Sequence, residues 1–414
     1  MRIWIVNHYA DPPTGMATRT YDIGRRWVQA GHPTTVFVSN FSHYTFSYLR
    51  PMKAFRWWLE EDVDGVRMVW IQATRYRRND LWRVVNMASF SLLALLAGAV
   101  RRERPQVVIG VSVHPLAALS GYYLARLKGA RFLFEVTDLW PQSLVDLGQL
   151  RADSPVTRWM RRLERFLYRK AERIVMLWRD TGDYVESLGV PATKIIWIPH
   201  GVELERYRDL EPYDGAPRPP FRVVYMGGFV KSMSLETILD AAQILQEKGV
   251  KDIEFELVGA GTYREQLMQR ARALNLRNLS FPPAVPKKEI ARVMSRADAF
   301  IYGLHDLPLY RYGMSLNKLS DYLAGGRPII YYGRSSYDPV SAAGAGFTVP
   351  PGDPAAVADA IERLFALSPE ERREMGARGQ AYLAEHHNIP RLAERLLAVI
   401  EPVPAGEARP VRGT

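Results

Sequence analysis

Two α/β domains, each built on a mostly parallel sheet, are what this sequence predicts, and three observations carry the prediction. The chain has 414 residues, more than one hydrophobic core ordinarily serves. Short β-branched runs alternate with amphipathic helical segments from the start, the rhythm of strand–helix–strand units whose sheet is covered on both faces. That rhythm breaks once, after Pro199, and "EPYDGAPRPP" (Glu211 to Pro220) reads as a Pro-rich hinge.

Taken in order, the strand-like runs of the first half are "RIWIV", "TTVFV", "VRMVW", "QVVIGV", "RFLFEV", "RIVML" and "KIIWIP". After the hinge come "FRVVYM", "IEFELVG", "NLSFPP", "DAFIYG" and "RPIIYYG". The expected organisation is a first Rossmann-like domain over 1–200, a linker over 201–220 and a second Rossmann-like domain over 221–385. The amphipathic segment "IPRLAERLLAVIE" lies within 386–402 and is suited to docking elsewhere, and 403–414 reads as a disordered tail.

Composition narrows the chemistry. Apolar residues make up 47% in short dispersed runs, a globular pattern, and there is no Cys, so disulfides, thiolate zinc and thiol nucleophiles are excluded. Reactive groups must come from carboxylates, His, Lys, Arg and backbone. "MRIWIVN" is strand-like rather than a signal peptide, so a cytoplasmic location is expected. The net charge of +11 calls for an anionic partner. No nucleic-acid-binding motif accompanies the charge, so no nucleic acid is expected. The basic residues fall on helices such as "RWMRRLERFLYRKAERI" (158 to 174), whose ordinary reading is a solvated face and whose second reading is contact with a membrane surface.

Two stretches bear on membranes. "NMASFSLLALLAGAV" (86 to 100), followed by "RRERP", is shorter than the ~20 apolar residues needed to cross a bilayer. It reads first as a buried helix, second as a membrane-dipping one with a basic edge. In "YLRPMKAFRWWLEED" (48 to 62), an insertion between the second and third strands, Trp57 and Trp58 beside Arg56 could anchor at a lipid interface or simply pack.

Ligands of open parallel sheets bind at the carboxyl ends of strands. In the first half those positions hold Asn7, His8 and Tyr9 with Gly15 in the following loop, Ser112 and His114, and Glu135, Thr137 and Asp138. Each has a plain structural use, Asp138 as a turn cap and His114 as a loop former before Pro115; what raises them is convergence on one sheet edge. In the second half the candidates are Gly227, Gly228 and Lys231, then Gly259 and Gly261, then His305 and Asp306. Glycines there let a phosphate approach backbone N–H groups. The dinucleotide fingerprint is absent, because no acidic residue ends the next strand.

The stretch "MSLNKLSDYLAGGRPII" (314 to 330) completes the set. Ser315 is placed to cap a short helix, Gly325 and Gly326 to stop it, and Pro328 to forbid continuation. Asn317, Lys318 and Asp321 fill its first two turns, where free N–H groups welcome an anion.

Together, "FEVTDLWPQSL", "IPHGVE", "LVGAGTYREQL", "VPKKEI", "LHDLPLYRYGMSLNKLSDYLAGGRPII" and "VPPGDPAAVADAI" resemble the family-4 retaining glycosyltransferases, in their WbuB-like branch of O-antigen and capsule enzymes. The resemblance covers nearly the whole chain. It implies the GT-B architecture: two facing Rossmann-like domains, acceptor in the first and nucleotide-sugar in the second, with the last helix crossing back to the first domain. Asp321 matches the second acidic residue of the family's Glu-x7-Glu motif, which holds the ribose hydroxyls. Gly313 stands in place of the first Glu, Gly228 and Met233 in place of the pyrophosphate-binding Arg and Lys, and Thr137 in place of the His that pairs with Asp138. Lys318, as in the WbuB-like branch, is placed to restore the missing charge, with Lys231 in reserve.

The candidate catalytic residues are therefore Asp138, Lys318 and His114. The candidate donor-binding residues are Gly15, Gly227, Gly228, Lys231 and Gly259, then Ser315, Leu316, Asn317 and Asp321. No metal ligands or cofactor are expected: there is no Asp-x-Asp clamp at a strand end, and the nucleotide-sugar is a co-substrate. The resemblance implies retaining, metal-independent transfer from a donor of the UDP-N-acetylhexosamine type to a saccharide or polyprenyl-diphosphate-linked acceptor. An anionic membrane surface would be a further partner. A sugar-nucleotide epimerase of the same fold, or a non-catalytic nucleotide-sugar-binding scaffold, are the alternatives.

Overall fold

The computed structural model describes residues 1–401 apart from 44, 54, 79, 217–218, 287–288 and 316. The chain divides into two compact units, Met1–Pro199 joined by the segment from Ile389, and His200–Asn388. The tail 403–414 and Leu316 lie outside the described residues.

In chain order the first unit contains β1 (Ile3–Val6), α1 (Arg19–Gln29), β2 (Thr34–Ser39), β3 (Trp58–Val63), β4 (Val66–Ile71), α2 (Leu81–Ala99) and β5 (Val107–Val111). It continues with α3 (Pro115–Lys128), β6 (Arg131–Val136), α4 (Gln142–Asp146), α5 (Pro155–Lys170), β7 (Arg173–Met176), α6 (Gly182–Ser187) and β8 (Ile195–Trp197). The second contains β9 (Phe221–Met226), α7 (Glu236–Glu247), β10 (Ile253–Val258), α8 (Arg264–Ala273), β11 (Leu279–Ser280), α9 (Ile290–Ser295) and β12 (Ala299–Gly303). It closes with α10 (Asn317–Gly325), β13 (Ile329–Tyr332), α11 (Pro339–Ala343), β14 (Gly346–Val349), α12 (Pro354–Ala366) and α13 (Pro369–His386). The last helix, α14 (Ile389–Ile400), belongs to the first unit.

Among the described residues the first sheet runs β3-β4-β2-β1-β5-β6-β7-β8 and is parallel except for β3, which pairs antiparallel with β4. β1 is central, with Ile5 opposite Val36 on one side and Ile109 on the other. The second sheet, β11-β10-β9-β12-β13-β14, is parallel throughout. β1 and β2 are buried on both faces, and the apolar runs "IWIV" and "VFV" are what make them readable.

Two strands lie outside the sequence expectation. β3, "WLEEDV", is an edge strand whose acidic residues interrupt the apolar signal: Glu60 and Asp62 are exposed, and half-buried Glu61 accepts from Arg50 at 2.8 Å and the Trp70 indole at 2.7 Å. β14, "GFTV", is short and opens on Gly346, where a Cβ would stand 1.8 Å from the Ile329 carbonyl oxygen.

Helix starts follow the sequence punctuation. Asp80, Ser154 and Asp353 accept first-turn N–H groups, and Ser368 with Glu371 forms a capping box. α14 buries Ile389, Leu392, Leu396 and Ile400 against α1, and the Trp27 indole N–H donates to the Ala393 carbonyl at 2.9 Å. α1 leads from β1 to β2, whereas α2, α3 and α5 carry the chain the opposite way across the sheet. Right-handed crossovers therefore put α2, α3 and α5 side by side on the face opposite α1 and α14.

The stretch expected as a linker is largely structured within the second unit. Residues 204–207 form a turn of 3-10 helix, Tyr213 Oη donates to the Asp298 carbonyl at 3.0 Å, and Arg327 donates to the Glu211 carbonyl at 3.1 Å. The segment 86–100 is a helix, as read, but its outer face is exposed rather than buried.

Candidate functional site

At the carboxyl edge of the second sheet the loops after β9 and β10 interlock. Gly227 N–H donates to the Val258 carbonyl at 3.0 Å, and Phe229 N–H to the Ala260 carbonyl at 2.8 Å. Gly259 has φ +154°, and a Cβ there would lie 1.9 Å from the Gly227 carbonyl oxygen; at Gly261 it would lie 2.3 Å from that of Phe229. At these two glycines backbone packs on backbone, a requirement separate from the phosphate approach expected from the sequence. Gly228 differs: a Cβ there would meet nothing within 4 Å.

α10 faces this loop. Lys318 Nζ donates to Tyr225 Oη at 2.7 Å, and Tyr225 Oη donates to the Gly228 carbonyl at 2.7 Å. The ammonium also lies 4.9 Å from the centre of the Tyr225 ring. Burial pushes Lys318 down to about 8, against the opposing pull of Asp321. One turn beyond, Tyr322 Oη accepts from Met226 N–H at 2.8 Å and donates to the Met226 carbonyl at 2.9 Å, pinning α10 to the end of β9. Asp321 Oδ1 accepts the Tyr207 hydroxyl.

α10 is described from Asn317, which is exposed, and the Ser315 hydroxyl before it accepts the His200 backbone N–H at 3.1 Å. Gly326, with φ +64°, provides the left-handed stop, while Gly325 stays helical and packs against Phe300. Lys231 is exposed at the head of a 3-10 turn, and Gly313, in place of the motif's first Glu, has φ +93°. Asp306 is held at the surface by Arg334 at 3.1 Å, and His305 is tied by its backbone N–H to the Ser232 carbonyl at 3.3 Å.

At the carboxyl edge of the first sheet His8 and His114 do converge. Their ring nitrogens Nδ1 and Nε2 are 2.6 Å apart, and His8 stacks on Phe90 at 4.2 Å between centroids. His114 caps α3 by accepting the Ala117 N–H at 3.3 Å. Tyr9 stacks on His43, whose Nδ1 meets the Tyr76 hydroxyl. Burial first, then nearby Arg83, lowers His43 to about 4 and His114 to about 3; burial, the two other imidazoles and Arg83 hold His8 well below its ordinary value. The cluster is neutral at pH 7, and His114 acts there as a cap and a hydrogen-bond partner of His8.

Other expected residues separate from it. Glu135 is spent on a buried pair with Arg19 at 3.2 Å, and Arg19 also holds the Ile198 and Pro199 carbonyls. Gly15 is folded over Asp11, whose Oδ2 accepts the Met16 and Ala17 N–H groups at 2.8 and 2.9 Å. Asp138 is exposed just beyond the carboxyl end of β6. Tyr207, Tyr225, His43, Tyr76 and Arg83 were not expected from the sequence. Tyr225, a hydroxyl one residue before the end of an apolar strand, was the legible one.

Residues 14–201 match the model of the glycosyl transferase 4-like domain, and residues 220–366 that of the glycosyl transferases group 1. A putative colanic acid biosynthesis glycosyl transferase of Escherichia coli, WcaI, is 23% identical over 71% of this chain and 74% of its own. Among solved structures, sucrose-phosphate synthase from Thermosynechococcus elongatus superposes with a TM-score of 0.73 at 18% identity over 96% of this chain and 98% of that one. Anabaena HepE, solved with UDP and glucose, does so at 0.64 and 14% identity over 97% and 99%. With both family models in chain order on two Rossmann-like units, the chain belongs to the family-4-like glycosyltransferases of the GT-B fold.

Proposed function

We propose that this glycosyltransferase moves a sugar, with retention of anomeric configuration, from a nucleoside-diphosphate sugar to a saccharide or lipid-linked saccharide in cell-surface polysaccharide synthesis. The observation that carries the reading is the cation of Lys318, held by Tyr225 against the open Gly228 loop at the start of α10. In that arrangement the ammonium and the helix N-terminus meet the diphosphate, and Asp321 accepts the ribose hydroxyls. UDP is the favoured nucleotide, on the likeness to HepE, with an N-acetylhexosamine as the sugar.

In the transfer, the acceptor oxygen bonds to the anomeric carbon on the face from which the diphosphate departs, and the bond to the diphosphate oxygen breaks. The acceptor proton passes to the leaving phosphate. Charge grows on the diphosphate, so a fixed cation and helix N–H groups stabilise the transition state more than the ground state. Lys318 supplies that cation without a metal, and Asp138, exposed just beyond β6, is the proposed catalytic carboxylate of the first unit. The enzyme acts in the cytoplasm at the inner face of a membrane.

A thermal-shift screen of UDP-, GDP- and dTDP-sugars, followed by turnover with excess EDTA, tests this. A true donor at about 100 times its dissociation constant adds ~2.7 kcal/mol of stability. Activity that EDTA abolishes and Mg²⁺ restores would remove Lys318 from its role as sole counter-charge, and hydrolysis or epimerisation of donor without acceptor would replace the transfer reading.

A further inference from the structure

The outer face of α2 is as apolar as its inner one. Leu81, Trp82, Val85, Leu92, Leu96 and Val100 lie along it at helical spacing, and they are 75, 62, 36, 58, 38 and 68% exposed. α3 packs beside it, the Gly98 position closing on Leu124, and continues the patch with exposed Tyr123 and Leu127. Ordinary surface helices alternate faces, so an apolar stripe running the length of an outward helix calls for a cover.

The rim says what covers it. α5, next along the same face of the sheet, presents Arg158, Arg162, Arg165 and Arg169 around an exposed Trp159, and its one acidic residue, Glu164, is buried. Exposed Arg77 and Arg78 precede α2, and exposed Arg102 and Arg104 follow it. An apolar strip framed by arginines, with an indole among them, matches a bilayer interface bearing anionic headgroups. A second copy of this chain would set arginines against arginines.

We infer that the α2–α3–α5 face of the first unit docks flat on an anionic membrane surface. α2 does not cross the bilayer. Its inner half is committed to the fold: Asn86 is buried and donates to the Thr74 carbonyl, Phe90 stacks on His8, and Gly98 closes on Leu124. The smaller patch at Phe55 and Trp57 belongs to the β3 edge, with Trp58 half-buried in that strand, and is not needed. The inference goes beyond the transfer reaction, and its test reads no activity, so it stands or falls apart from the donor assignment.

The chain contains no Cys, so one introduced thiol reports from one place. Full-length Leu92→Cys carrying an environment-sensitive fluorophore is mixed with vesicles of phosphatidylcholine, with or without phosphatidylglycerol. Gln29→Cys on α1 serves as the label on the opposite face. The expected result is a blue-shifted, brighter signal at position 92 with phosphatidylglycerol only, reversed by salt, and none at position 29. Arg162→Glu combined with Arg165→Glu should weaken vesicle binding about ten-fold or more. No shift at position 92, an equal shift at position 29, binding to neutral vesicles alone, undiminished binding by the arginine variant, or a shift that needs no vesicles and vanishes on dilution would each overturn the inference.

Discussion

Gly228 and Gly259 look alike in the sequence, each beyond the end of a strand, yet their surroundings separate them. At Gly259 a methyl group would collide with the Gly227 carbonyl at 1.9 Å and the backbone is at φ +154°; at Gly228 the space is open. Gly259→Ala should therefore destabilise the protein by more than ~1 kcal/mol. Gly228→Ala should leave the melting temperature unchanged while weakening donor binding, because a methyl group keeps phosphate from the backbone. Equal melting losses for the two would contradict this account. Strand-end glycine was readable; whether ligand or neighbouring backbone needs it was not, since that depends on a contact between two loops some thirty residues apart.

Lys318 carries a pH signature. Its ammonium loses its proton near pH 8 because burial disfavours the charge, and bound diphosphate favours the charge. Donor affinity should thus be full below pH 8 and decline as pH rises through it. Lys318→Ala should bind weakly and without that decline. Tyr225→Phe removes the oxygen that accepts from Lys318, so its decline should begin at lower pH. Calorimetric titration between neutral and mildly alkaline pH checks all three, and a wild-type profile that stays flat would count against Lys318 as the diphosphate's counter-charge.

At the scale of elements, α10 was legible because its polar residues are concentrated between clear stop and start signals. What escaped was Tyr207, which reaches Asp321 from a stretch whose prolines read as a linker. That contact adds a structural role to Asp321. Asp321→Ala should weaken donor binding roughly 10- to 100-fold, the loss expected for hydrogen bonds to a charged group, and should also lower the melting temperature. Tyr207→Phe should reproduce the melting loss and not the binding loss. If Tyr207→Phe weakened donor binding as much as Asp321→Ala, the carboxylate would be a structural anchor only. β3 escaped for the opposite reason, its acidic edge hiding strand character, and the outer face of α2 escaped because hydrophobicity alone does not tell a buried helix from one awaiting a membrane.

For the whole molecule, the alternation of strands and helices sufficed for two parallel-sheet units, since central strands must be apolar and crossovers must be helical. The amphipathic last helix likewise pointed to docking, and it packs on α1 of the first unit through Leu392, Leu396 and Ile400. The candidate site was less legible, because the partners of Lys318 come from a distant strand, and only the geometry shows it held by Tyr225, whose hydroxyl also meets the Gly228 carbonyl. The most direct test is calorimetric titration of UDP and UMP into the wild type and Lys318→Ala. A cation facing the second phosphate predicts that the substitution costs UDP about 10- to 100-fold in affinity, near the ~1.5–3 kcal/mol of a charge-assisted hydrogen bond, and leaves UMP nearly unchanged. Equal losses for both nucleotides, or no loss for UDP, would contradict the account.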